Sequence, residues 1–330
     1  MKSSLIKTAT APEQRMRFRG ITWLERFRQI GIFIALFVIA GVFAVLNPIF
    51  LTTSNLINIL VQSTLTGIIG IGMTLAIISG GIDLSVGSLV ALVVCIVATQ
   101  MANGVPVPVE ILIGLLIGIL AGIFNGTMIA YVGLQPFLVT LGTMSLFRGA
   151  ALVYTNGNPI FNVPSAFRTI FSGDLFGIPD PILYLFGIAI VAFILLNYTR
   201  LGIYIKSIGG NEEAARMSGV NTQRNKVITY VICDMFTALA GLVLLGRLGA
   251  AEPIAGSGFE LDAIAAAAVG GTSMSGGKGN IPGTILGALI LGSLRDGLTL
   301  MNVQSFYQQL ASGAIILIAV AVDRYTRGQG

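Results

Sequence analysis

The chain contains no histidine and only two cysteines, and only 10% of its 330 residues are Asp, Glu, Lys or Arg. Without histidine it lacks the commonest general base, the commonest zinc ligand and the usual proton shuttle, so hydrolytic and metal chemistry are poor expectations and no metal site is expected. Cys95 and Cys233 both lie in apolar runs and supply neither a disulfide framework nor a CxxC metal motif. Soluble domains carry about 25% charged residues. With 19 basic and 14 acidic side chains, this chain has too little polar surface to clothe a water-soluble globule. What it has instead is 55% apolar residues, 42 glycines and a mean hydropathy of +0.89, the composition of an integral membrane protein. A net charge of +5 would otherwise suggest nucleic acid. The basic residues, however, cluster in a tail and in loops between apolar runs, where membrane orientation explains them.

A helix needs about 20 apolar residues to cross the hydrocarbon layer, so charge-free intervals can be read as spans. The uncharged interval between Arg28 and Asp83 has room for two helices, with Asn47, Pro48 and Thr52 to Asn55 forming the turn. The pattern predicts ten spans: 30–46, 56–79, 85–101, 111–132, 137–154, 182–198, 227–248, 261–277, 282–299 and 305–322. A Gly133 to Pro136 break separates the fourth from the fifth, and a polar, Pro-containing stretch from Thr155 to Pro181 precedes the sixth. The expected fold is one all-α membrane domain over 30–323, with a basic tail at 1–29 and a short tail at 324–330. No small-residue cleavage site comes after the basic tail, so it reads as the approach to an uncleaved first helix.

Charge sets the orientation. Lys2, Lys7, Arg15, Arg17, Arg19, Arg26 and Arg28 outweigh Glu13 and Glu25 in the tail, which places the N-terminus in the cytoplasm. Arg200, Lys206, Arg216, Arg224 and Lys226 place the loop 199–226 on the same side, after an even number of spans. Segments 155–181 and 249–260 hold Arg168 against Asp174, Asp180, Glu252 and Glu260, which suits the outer face. Arg324 and Arg327 then put the C-terminus in the cytoplasm. The small-residue run 261–277 could instead turn back within the membrane, but that would send these two arginines outside.

Gly114, Gly118, Gly122 and Gly126 lie on one face of the fourth span and permit close helix approach, either inside the bundle or at a dimer seam. Gly283 and Gly287 repeat the spacing once. The run Gly80, Gly81, Ile82, Asp83, Leu84, Ser85 predicts a broken helix, because two glycines weaken the helix and Asp83 can cap the next one by accepting from the amides near Ser85. An ordinary capped turn is the plainer alternative. Broken helices are where transporters place sites and gates. Glu260, Leu261, Asp262 is a weaker echo that suggests duplicated halves. Asp234 lies inside the seventh span, as a functional carboxylate or as a neutral acid between helices. Arg148, Arg247 and Arg295 lie near span ends and are expected to snorkel. Polar residues near breaks or span ends, Asp83, Ser85, Asn125, Gln135 and Asn156, are the candidates for a translocation pathway. The stretch 271–279 imitates a phosphate loop, but Thr272 and Gly279 depart from the required pattern, so the chain is not expected to bind ATP itself.

Within 199–226, Asn211 is a cap, Glu212 and Glu213 fill a first turn with Ala214 and Ala215 next, Arg216 lies near the end and Gly219 stops the helix. A helix so short must dock, either on its own bundle or on a separate cytosolic subunit. Here the sequence resembles a known family. The pattern of Glu213, Ala214, Ala215 and Gly219 resembles the loop by which permease subunits of ABC importers contact their ATPases. Segments 80–88 (GGIDLSVGS), 154–159 (YTNGNP), 209–219 (GGNEEAARMSG) and 259–279 (FELDAIAAAAVGGTSMSGGKG) resemble the monosaccharide branch, its ribose-carrying members most of all. The resemblance runs from about residue 50 to 324. It implies a multi-pass subunit of the bacterial inner membrane with no ATPase site or cofactor of its own, ATP and Mg being held by its partners. It also implies a second permease copy, C₂ pairing being the default, cytosolic ABC ATPases and a periplasmic sugar-binding protein, with Asn211 to Gly219 transmitting the ATPase stroke. Two departures stand out: no proline comes after Gly219 where other importer classes have one, and Asp234 is charged where a small or neutral residue is expected. A second functional class is ion-coupled secondary transport with Asp83, Asp234 or Asp262 as proton site. An enzyme ranks below both, because no nucleophile with a base, and no ligand cluster, occurs at a recognisable spacing.

Overall fold

The computed structural model describes residues 31–304 together with 306–308, 310, 311, 313, 314 and 317. The tails expected at 1–29 and 324–330, and most of the span expected at 305–322, lie outside the described residues. The helices are α1 (Gly31–Leu46), α2 (Thr53–Ile78), α3 (Val86–Ala102), α4 (Val107–Ala130), α5 (Pro136–Thr155), α6 (Ser165–Ser172), α7 (Asp180–Tyr198), α8 (Arg200–Gly210), α9 (Glu212–Met217), α10 (Thr222–Leu248), α11 (Phe259–Val269) and α12 (Ile281–Leu300). A two-residue hairpin, β1 (Asp174–Leu175) against β2 (Ile178–Pro179), pairs Asp174 with Pro179 and Leu175 with Ile178.

Six of the described helices, α2, α4, α5, α7, α10 and α12, are long and apolar enough to cross a membrane. α2 is apolar all round and buried along most of its length, so it is the central helix of the bundle. Ile68, Ile71 and Leu75 of α2 pack with Val90 and Val94 of α3 and with Leu242 and Leu245 of α10. By contrast α4 and α5 turn apolar side chains outward, among them Leu112, Leu116, Leu120, Leu138 and Leu141, a surface suited to lipid rather than water.

The glycine stripe of α4 faces α10 within the bundle. A Cβ on Gly122 would lie 2.4 Å from the Val231 Cα, and one on Gly126 would lie 2.7 Å from the Val227 Cα. The backbones therefore touch, and the packing is van der Waals contact that any side chain would prevent. Gly283 and Gly287 of α12 make the same approach to Gly270 and Ala266 at and before the end of α11.

Several expectations are corrected. The span expected at 261–277 is helical only to Val269: Gly270 ends it, Gly271 adopts φ +91° and the Thr272 amide turns back to the Ala267 carbonyl. Its 11 residues make about 16 Å of helix, half the hydrocarbon thickness. α3, at 17 residues, is also short of a full crossing, because the chain before it is not helical. The loop 199–226 holds a further helix, α8, capped by the Thr199 side chain, which accepts from the Gly202 amide. The stretch 155–181 contains α6 and the hairpin, with Phe167 and Phe171 buried against the bundle. The three arginines are anchored rather than snorkelling: Arg148 donates to the Pro253 and Ala255 carbonyls, Arg247 to the Val61 carbonyl and Arg295 to Asp262.

Candidate functional site

α2 ends as its sequence dictates. Gly80, at φ +89°, comes directly after the C-cap Ser79, and the amides of Gly80 and Gly81 close onto the Ile77 and Ala76 carbonyls. The chain then runs without helix to Ser85 and passes so close to Tyr230 that a Cβ on Gly81 would lie 2.2 Å from the phenolic oxygen. Asp83 Oδ1 accepts from the Ser85 amide at 2.8 Å and from the Ser85 hydroxyl at 2.6 Å, but the N-cap of α3 is Ser85, so Asp83 braces the turn before the helix rather than capping it as the sequence suggested. Thr140 of α5 donates its hydroxyl to the Ile82 carbonyl, which ties the break to a second helix.

Asn125 of α4 closes the group. Its Nδ2 lies 3.0 Å from Ser85 Oγ, 3.4 Å from Asp83 Oδ2 and 3.3 Å from Asp234 Oδ2. Asp83, Ser85, Asn125 and Asp234 are all fully buried. Three of the five pathway candidates therefore gather with the intramembrane acid of α10 in one polar cluster at the helix break. Gln135 and Asn156 do not join them. Both are exposed, at opposite ends of the 20-residue α5, about 30 Å apart. Sequence reasoning missed Tyr230 and Thr140. Tyr230 stands one turn before Asp234 on the same face of α10, which was a usable signal.

The echo at Glu260 to Asp262 also marks a half-length helix that begins inside the bundle. α3 and α11 start side by side: a Cβ on Gly87 would lie 2.3 Å from the Gly256 carbonyl oxygen and 2.3 Å from Glu260 Oε2. Arg148 holds the approach to α11 through two carbonyls, each at 2.8 Å. Asp262 pairs with Arg295 of α12. Two helix starts with non-helical approaches expose backbone groups that a continuous helix would hide, as substrate pathways in transporters do.

At one end of the bundle α8 covers the C-terminal turn of α2, and α9 packs on α8 and α10. The Asn211 side chain accepts from the Ala214 amide, and Gly219, at φ +85°, stops α9. Ala215 is the buried contact of this helix, and Glu212 forms an ion pair with Lys226 of α10 at 2.6 Å. Glu213, Ala214, Arg216 and Met217 remain exposed, Met217 at 83%. A polar hollow lined by Ala130, Glu212, Arg216 and Thr222 opens beside them. The phosphate-loop imitation lies nearby. The amides of Ser273, Gly276 and Gly277 already bond the Lys278, Ser273 and Ile78 carbonyls, so they form no anion cradle.

Residues 55–320 match the family described as branched-chain amino acid transport system / permease component. The chain belongs to this permease family. It is 43% identical over 326 residues, 98% of its own length and 99% of the relative, to the ribose import permease protein RbsC of Bacillus subtilis. It is 43% identical over 311 residues, 93% of the chain and 96% of the relative, to the RbsC protein of Escherichia coli. The D-allose transport system permease protein AlsC of Escherichia coli is 41% identical over 296 residues, 89% of the chain and 91% of the relative. No solved structure matches the chain.

Proposed function

We propose that this permease is the membrane subunit of an ATP-driven ABC importer and carries a monosaccharide of the ribose class inward by alternating access. The observation that carries the reading is the 43% identity to a ribose import permease over 98% of the chain. The family description names branched-chain amino acids. The relatives that align over most of the chain are named for ribose, allose, galactose and xylose, which favours a sugar.

The geometry supports ten passages in a refined form. The non-helical run 79–85 with α3 makes one passage, and the non-helical approach 250–258 with α11 makes another, beside α1, α2, α4, α5, α7, α10, α12 and the segment from 305. Both termini and the loop 199–226 then face the cytoplasm of a bacterial inner membrane, as the positive charge requires. α9 is the coupling helix. Asn211 caps it and Glu212 and Ala215 fasten it to the bundle, whereas Glu213, Ala214, Arg216 and Gly219 meet a cytosolic ABC ATPase that holds ATP and Mg. The chain itself is no enzyme. A second permease copy completes the pathway, a periplasmic sugar-binding protein delivers the solute, and lipid covers the outward leucines.

Reconstitution tests the reading. With its ATPase and binding protein in liposomes, the permease is expected to accumulate ribose only with ATP and Mg. Accumulation by the lone chain on a proton gradient would overturn the importer reading in favour of secondary transport.

A further inference from the structure

Asp83 and Asp234 meet inside the bundle without a counter-ion. One oxygen of each, with the Cys233 sulfur, lies within 4.8 Å of the others, and all three residues are fully buried. No lysine or arginine among the described residues forms a hydrogen bond or ion pair with either carboxyl. The groups packed around the pair are neutral: Ser85 before α3, Asn125 from α4, Tyr230 and Cys233 from α10, and Thr140 of α5 on the Ile82 carbonyl. Two carboxylates so placed cannot both be ionised, because each charge is desolvated and repels the other.

The donors are unevenly shared. Asp83 Oδ1 takes the Ser85 amide and hydroxyl. Asp234 is offered only the Asn125 amide, at 3.3 Å, and its Oδ1 is buried with no partner. The Tyr230 hydroxyl is likewise buried and unpartnered, against Gly81 on the same non-helical run. The Asn125 nitrogen, a donor, faces both carboxyls, an orientation that repels a metal ion and suits a proton.

We infer that Asp83 and Asp234 form a proton-binding site, one hydrogen carried on Asp234 and donated to the Asp83 carboxylate, that fastens the non-helical run of the broken helix to α10. No step of sugar transport is needed for the assignment, so it stands apart from the solute carried. Removing the proton leaves two facing anions and frees the run 81–85 from α10.

Infrared spectroscopy of the full chain in lipid tests it. At neutral pH the wild type is expected to show a protonated-carboxyl C=O band that shifts in D2O and disappears in Asp234→Asn and in Asp83→Asn. On raising the pH, the wild-type band is expected to vanish together with a drop in Tm that Asp234→Asn does not share. A wild type whose band is absent at neutral pH, or a band unchanged in both variants, would overturn the site. So would a Tm gain in sodium over choline chloride that Asp234→Asn abolishes, since the occupant would then be a metal ion. The wild-type titration needs no variant to fold.

Discussion

The amide of Gly277 donates to the carbonyl of Ile78 at 2.9 Å, which hangs the loop after α11 on the last turn of α2. Gly209, near the end of α8, is wedged into the same place: a Cβ there would lie 1.7 Å from the Ile78 oxygen and 2.6 Å from the Gly277 nitrogen. Ile78 leads into the helix break, and Gly209 leads into α9. The helix break and the segment leading into α9 are therefore joined by backbone contact.

Gly209→Ala is expected to break this contact and cost about 1–3 kcal/mol through overpacking. Gly210→Ala is the control, since nothing lies within 4 Å of its added Cβ. Thermal unfolding and sugar-stimulated ATP hydrolysis are the measurements. Gly209→Ala should lower both, whereas Gly210→Ala should leave both near wild type.

Ala215→Pro is expected to leave the chain inserted in the membrane but to abolish transport-linked ATP hydrolysis. Proline removes the amide that bonds the Asn211 carbonyl and clashes with the preceding turn. Membrane fractionation and ATPase assays of the reconstituted complex check it. Normal uptake would remove α9 from the coupling role.

Gly122→Ala is expected to destabilise the bundle by about 1–3 kcal/mol, because the new Cβ meets backbone of α10 that cannot yield. Gly142→Ala on α5, with nothing within 4 Å, should be neutral or slightly stabilising. Denaturation in a fixed detergent compares the two.

Much of this was legible in the sequence because the bilayer makes composition speak directly. Apolar runs marked out α2, α4, α5, α7, α10 and α12, and local hydrogen bonding accounted for the contact of Asp83 with Ser85 and the short helix at Asn211. What was hidden depends on tertiary contact. Small residues between Ala263 and Gly277 read as an apolar span, yet the helix stops at Val269, where backbone contacts with α12 and α2 replace helical bonds. Asp234 was visible as an anomaly, but its partner lies on the far side of a helix break, beyond any sequence spacing. The outer positions of Gln135 and Asn156 result from the direction of α5, which polarity alone does not specify.

Asp83→Ala is expected to cost about 1–3 kcal/mol by stripping the acceptor from the Ser85 amide and hydroxyl inside the bundle. Asp83→Asn keeps an acceptor and should cost less. Unfolding midpoints of the two variants against wild type give the order, and equal losses would mean that the charge rather than the acceptor holds the break.

The side of the membrane on which α9 lies is the most direct test. Cys95 and Cys233 are buried, so Met217→Cys offers one accessible thiol. A membrane-impermeant maleimide is expected to label it in inside-out vesicles but not in intact cells, and the ATPase subunit should protect it. Labelling from outside intact cells would contradict the account.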